Sequence, residues 1–182
     1  MTTYLSNHAI KQEMELIRLR PGDPESTQYG LWNAILGLQF PVSQGFITRP
    51  QDRHSSQAGA YGFSDLHTYH YRGTATHATK FLIVQCKRPS ASTQSSVWRQ
   101  AVDQLDEYLS NTHGTRRPAN RTPVYGIVAI GLKLRVYKYD DVNQGVLNWA
   151  PRGSGVKGGT MLNLDKDATK VQWILNHIYH NH

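Results

Sequence analysis

The period of the apolar residues changes along the chain, and that change limits the fold more than any other feature. Near the N-terminus Ile10, Met14 and Ile17 recur at helical spacing, and Tyr29, Trp32, Ile35 and Leu36 do so again. Such spacing places each set on one helix face. Helices are therefore expected over 8–20, stopped by Pro21, and over 26–38, stopped by Pro41. From Gly45 the period becomes that of strands. Phe46–Arg49 reads as a short strand followed by a polar loop over 50–60. Phe63–Tyr71 and Lys80–Arg88 are stronger strands, rich in aromatic and β-branched residues, joined as a hairpin.

Helical spacing returns at Val97, Ala101 and Leu105, predicting a helix over 95–109. Two further strands, or one bent at Gly131, are expected over 124–130 and 132–139. The five glycines of 143–159 mark a loop, and a last helix over 165–179 carries Val171, Ile174, Leu175 and Ile178. The order helix, helix, three strands, helix, two strands, helix describes an α/β protein with a small mixed central sheet flanked by helices.

At 182 residues the chain suits a single domain, 1–182, with a core over about 26–139 and the two end helices as additions. Apolar runs such as Ile127–Ile130 are far short of the ~20 residues that span a bilayer. The first twenty residues lack the apolar stretch of a signal peptide, so an intracellular, cytoplasmic or nuclear protein with no membrane partner is expected. The single cysteine, Cys86, excludes an internal disulfide framework. Twenty Lys and Arg against thirteen Asp and Glu give a net charge of +7. Ten of the bases, against five acids, lie between Arg49 and Arg121. Such an excess favours a polyanionic partner, nucleic acid before membrane.

Chemistry concentrates in three short segments. Side chains alternate along a strand, so Gln85 and Lys87 share one face while Val84 and Cys86 take the other. If the preceding strand pairs alongside, Asp65 stands near both, giving a carboxylate, an amide oxygen and an ammonium around one small volume. Hard cations such as Mg²⁺ accept such oxygens and retain waters. On the next helix Gln104 and Tyr108, four apart, share a side.

These segments resemble the PD-(D/E)XK nuclease superfamily, and within it the RecB-like group and its small fungal members. The matching residues are Gly62 and Asp65, then Gln85 and Lys87, then Gln104 and Tyr108, with the flanking Tyr29–Leu36 helix and the Arg49–Gln51 segment. The resemblance covers about 29–139. It implies a restriction-endonuclease-like core and a metal-dependent nuclease acting on nucleic acid, DNA before RNA. Asp65 and Gln85 would hold Mg²⁺ or Mn²⁺, Lys87 would assist the attacking water, and Gln104 and Tyr108 would support them. Many restriction-type relatives act as homodimers; the oligomeric state of this chain is open. The sequence departs from the pattern in carrying Gln85 where an acid is usual, and in having no acid between Ser26 and Leu38. A catalytically inactive nucleic-acid-binding module on the same fold is therefore the alternative.

Further candidates are weaker. His67 has the parity of Asp65 and can serve as a ligand or phosphate contact, and Glu25 is the acid nearest the first core helix. Arg88, Arg116 and Arg117 can meet phosphates or stand as solvated charges. Cys86 reads as a small core residue. The glycine-rich 153–160 segment lacks the spacing of a phosphate cradle. His177, His180 and His182 read as scattered surface residues on a disordered end.

Overall fold

The computed structural model describes residues 2–55, 61–73 and 78–182, the side chains of 51–55, 61–65 and 120 excepted. Four helices and seven strands are described: α1 (His8–Leu19), α2 (Ser26–Gln39), β1 (Phe46–Ser55), β2 (Tyr61–His70), β3 (Thr79–Lys87), α3 (Ser95–His113), β4 (Tyr125–Ile130), β5 (Lys133–Asp140), β6 (Gly145–Asn148), β7 (Leu162–Asn163) and α4 (Ala168–His180). The strands form one mixed sheet in the order β1-β2-β3-β4-β5-β6, with β7 also on β5. Among the described strands only β3 and β4 pair in parallel, and α3 is the crossover that joins them.

Two apolar layers sandwich the sheet. On one face Leu82, Val84, Cys86 and Ile127 meet Ile10, Met14 and Ile17 of α1, Leu31, Trp32 and Ile35 of α2, and Val171, Ile174 and Ile178 of α4. On the other Ile83, Val128, Ile130 and Tyr137 meet Ala101, Leu105 and Leu109 of α3. The end helices α1 and α4 thus contribute to the main apolar cluster. The start of α1 follows from Asn7, whose side-chain oxygen accepts from the N–H groups of Ala9 and Ile10 at 3.0 and 3.3 Å.

Three expectations need correction. β1 continues through Pro50 to Ser55, where a loop was expected. It is an edge strand paired only with β2, so the N–H that proline lacks removes no bond on an outer side. The glycine-rich stretch contains β6, which pairs with β5 through a turn in which Asp140 accepts from Val142 N at 2.9 Å and Asn143 Nδ2 at 2.6 Å. At Gly131 the chain turns back with φ 61°, giving the two separate strands of the expected pair, antiparallel to each other. His182 is packed rather than loose. Its ring stacks on Phe81 with centroids 4.0 Å apart, and its Nε2 lies 2.8 Å from His70 Nδ1. This pairing spans 112 residues and has no local signal. No helix among the described residues is long and apolar enough to cross a membrane.

Candidate functional site under helix α3

Leu66 pairs with Val84 and His67 with Ile83 across the antiparallel β2–β3 ladder. The paired residues of this ladder end at Leu66 and Val84, with Asp65 next along β2 and Gln85 next along β3. The side chain of Asp65, and those of the neighbouring Gly62–Ser64 segment, lie outside the described residues. Gln85 is 3% exposed, and its Nε2 donates to Gln104 Oε1 of α3 at 3.4 Å, a long hydrogen bond. With the amide nitrogen engaged there, Oε1 is the Gln85 atom left for a cation. An amide oxygen is a donor that a hard divalent ion accepts.

One helical turn further on, the buried Tyr108 places its hydroxyl 3.1 Å from Nδ1 of the fully buried His67. The two rings meet edge to face at 4.6 Å. The same hydroxyl accepts from Lys80 Nζ. Burial, the largest influence on Lys80, lowers its pKa, but hydrogen bonds with Tyr108 and Tyr69 outweigh it and leave the ammonium above its ordinary value. Lys80 also lies 5.2 Å from the centre of the Tyr69 ring. Two hydrogen-bonded groups, Gln85–Gln104 and His67–Tyr108–Lys80, thus line one side of the sheet beneath α3.

Sequence reading missed Lys80, and the reason is local. Plain alternation from Gln85 sends Lys80 to the other face. The ladder is irregular between Thr68 and Tyr69, so that Thr68 faces Leu82 while Tyr69 faces Lys80. The extra residue, Phe81, joins Leu82 in the α1–α2–α4 layer, and the alternation is reversed before it. No composition signal marks such a bulge.

Lys87 ends β3 half-buried, paired with Ile130 of β4 and sharing the face of Gln85, while Cys86 is buried in the opposite layer. Arg88 is exposed at the turn that follows. Glu25 belongs to the helix covering the opposite face, and its carboxylate accepts from the Tyr29 hydroxyl at 2.8 Å. Arg116 is engaged by Thr122 O at 3.0 Å and Asp141 Oδ1 at 2.8 Å; Arg117 is exposed. Their loop enters the sheet ahead of Tyr125, which pairs with Leu82. Arg116 and Arg117 therefore precede the end of the strands opposite to Lys87, and Leu82 is five residues, about 17 Å, from Lys87 along β3. Among the described residues no group of three His, Cys, Asp or Glu side chains is gathered for a metal.

At the far end of α3, His113 is held down to a pKa of about 3 by burial, with Arg116 and Lys80 adding repulsion. It stays neutral when folded, whereas an unfolded histidine takes up a proton below about pH 6.5. The unfolded state then binds more protons, so stability falls as pH drops through that value. Between pH 7 and pH 5 this histidine should cost about 2 kcal/mol. Urea unfolding at both pH values should show the wild type losing that much more than His113→Phe; equal losses would contradict the assignment.

Comparison of the chain with protein-family models, with curated proteins and with solved structures found no match.

Proposed function

We propose that this chain is a metal-dependent nuclease with a restriction-endonuclease-like core, hydrolysing phosphodiester bonds of nucleic acid, DNA in preference to RNA. The succession α2, β1, β2, β3, α3, β4, with β3 and β4 parallel and the first three strands antiparallel, supports that core. One observation carries the reading. The bonds Gln85–Gln104 and His67–Tyr108 draw the second and third sequence motifs together on the α3 side of the sheet, next to the Leu66–Val84 pair that Asp65 precedes in the chain.

In this reading Asp65 and Gln85 hold Mg²⁺ or Mn²⁺, which when bound supplies Lewis-acid stabilisation of charge developing on the phosphate. Lys87 orients the attacking water or takes its proton, and offsets negative charge in the transition state. Gln104 fixes the Gln85 amide, and Tyr108 ties β2 to α3. The +7 net charge favours the polyanionic substrate.

The neutral amide of Gln85 favours a second reading, an inactive nucleic-acid-binding module, because it contributes no charge against a cation's desolvation. Plasmid, linear and single-stranded DNA and RNA, each incubated with the protein in Mg²⁺, Mn²⁺ or EDTA, separate the two. Cutting of DNA that EDTA abolishes is the expected result. Salt-dependent retention without cutting in any metal supports the module, and neither cutting nor retention overturns both.

A further inference from the structure

The same face of the sheet continues past the candidate site into an open groove of about 730 Å³ between the first half of α3 and β5–β6. Three cationic side chains line it, Arg99 of α3 and Lys133 and Arg135 of β5, against one carboxylate, Asp103. Among the described residues none of the three cations makes an ion pair, although Arg116 and Arg121 nearby in sequence both meet Asp141. The Arg135 guanidinium lies 5.5 Å from the centre of the Trp98 ring, and its buried Nε has no acceptor among the described residues. Trp98 is itself fixed by donating from Nε1 to Ser92 O at 3.1 Å. The groove thus has Trp98 at its floor and three cations on its wall, of which Arg135 also hydrogen-bonds Tyr137.

Strand register connects this groove to the site. Gln85 pairs with Val128, which pairs with Arg135, and Lys87 pairs with Ile130, which pairs with Lys133. Each row runs straight across the sheet, so Lys133 stands two strands from Lys87, and Arg135 two strands from Gln85, about 10 Å in each case. At ~3.4 Å of axis per nucleotide of one strand, that distance is about three phosphates. A groove of this volume matches the 300–1,000 Å³ of small-ligand clefts. Such a volume has room for a nucleotide or two of one strand.

We infer that this groove binds the phosphates of a single nucleic-acid strand leading away from the β2–β3 site, with Arg99, Lys133 and Arg135 as its contacts. The inference rests on the reading that the chain meets nucleic acid, but does not need cutting. The test is the anisotropy of a dye-labelled single-stranded oligonucleotide in EDTA over a range of salt. The proteins compared are the wild type, Arg99→Ala/Lys133→Ala and Lys11→Ala/Lys166→Ala, the last pair exposed on and beside the opposite face.

The groove variant should bind at least tenfold more weakly, with a salt dependence shallower by roughly 1.4 for two lost phosphate contacts. The control pair should stay within about twofold of wild type. Arg99 is exposed, so Arg99→Ala alone, with an unchanged melting temperature, should show a smaller loss in the same direction. Unchanged binding in the groove variant, or a loss no greater than the control's, overturns the groove. If Lys87→Ala then still abolishes cutting, the nuclease reading survives that failure. A wild type that neither binds nor cuts removes both.

Discussion

Leu105→Ala is expected to destabilise the protein by about 2–5 kcal/mol, a large share of the ~5–15 kcal/mol that holds a domain of this size together. Leu105 is wholly buried on α3, and it fills the space above Gly126 of β4. A Cβ at Gly126 would meet Leu105 Cδ2 at 2.5 Å and Cδ1 at 3.0 Å. Gly126→Ala should therefore cost about 1–3 kcal/mol through overpacking. In the double variant the new methyl enters the room vacated by Leu105, so the combined loss should be smaller than the sum by about 1–2 kcal/mol. Urea unfolding of the four proteins measures this. Strict additivity would show that the helix is not seated through this contact. The seat also matters for the site, because Gln104 and Tyr108 flank Leu105 on the same helix and reach Gln85 on β3 and His67 on β2.

Much of this arrangement is legible in the chain where it depends on local period. Ile10, Met14 and Ile17 are buried on one side of α1, as their spacing requires. The alternation that separates Gln85 from Cys86 holds, and from α3 both the exposed Gln104 and the buried Tyr108 reach the sheet. What depends on distant partners is not legible. Whether a proline-containing segment becomes an edge strand depends on a neighbour being available, and for residues 46–55 that neighbour is β2. The parallel pairing of β3 with β4 depends on where α3 docks. Lys80 reaches Tyr108 only because a bulge reverses the face of β3, and His182 reaches His70 only because α4 lies against the sheet. In each case tertiary contact overrides the local pattern.

Lys87 is where the functional account carries its largest effect. It is half-buried at the end of β3, two residues from Gln85 on the same face, and nothing in the core layers relies on its ammonium. Lys87→Ala should leave unfolding stability within about 1 kcal/mol of wild type. If Lys87 positions or deprotonates the water, as proposed, its removal should lower the cutting rate by about 10²–10⁴-fold. Asp65→Asn, which takes away the carboxylate expected to hold the cation, should do the same by weakening metal binding. The most direct measurement is the initial rate of DNA cutting in Mg²⁺ by wild type and folded Lys87→Ala, each repeated in EDTA. The account predicts cutting by the wild type that EDTA abolishes and that the variant lacks. A variant as fast as the wild type, or cutting undiminished in EDTA, would contradict it.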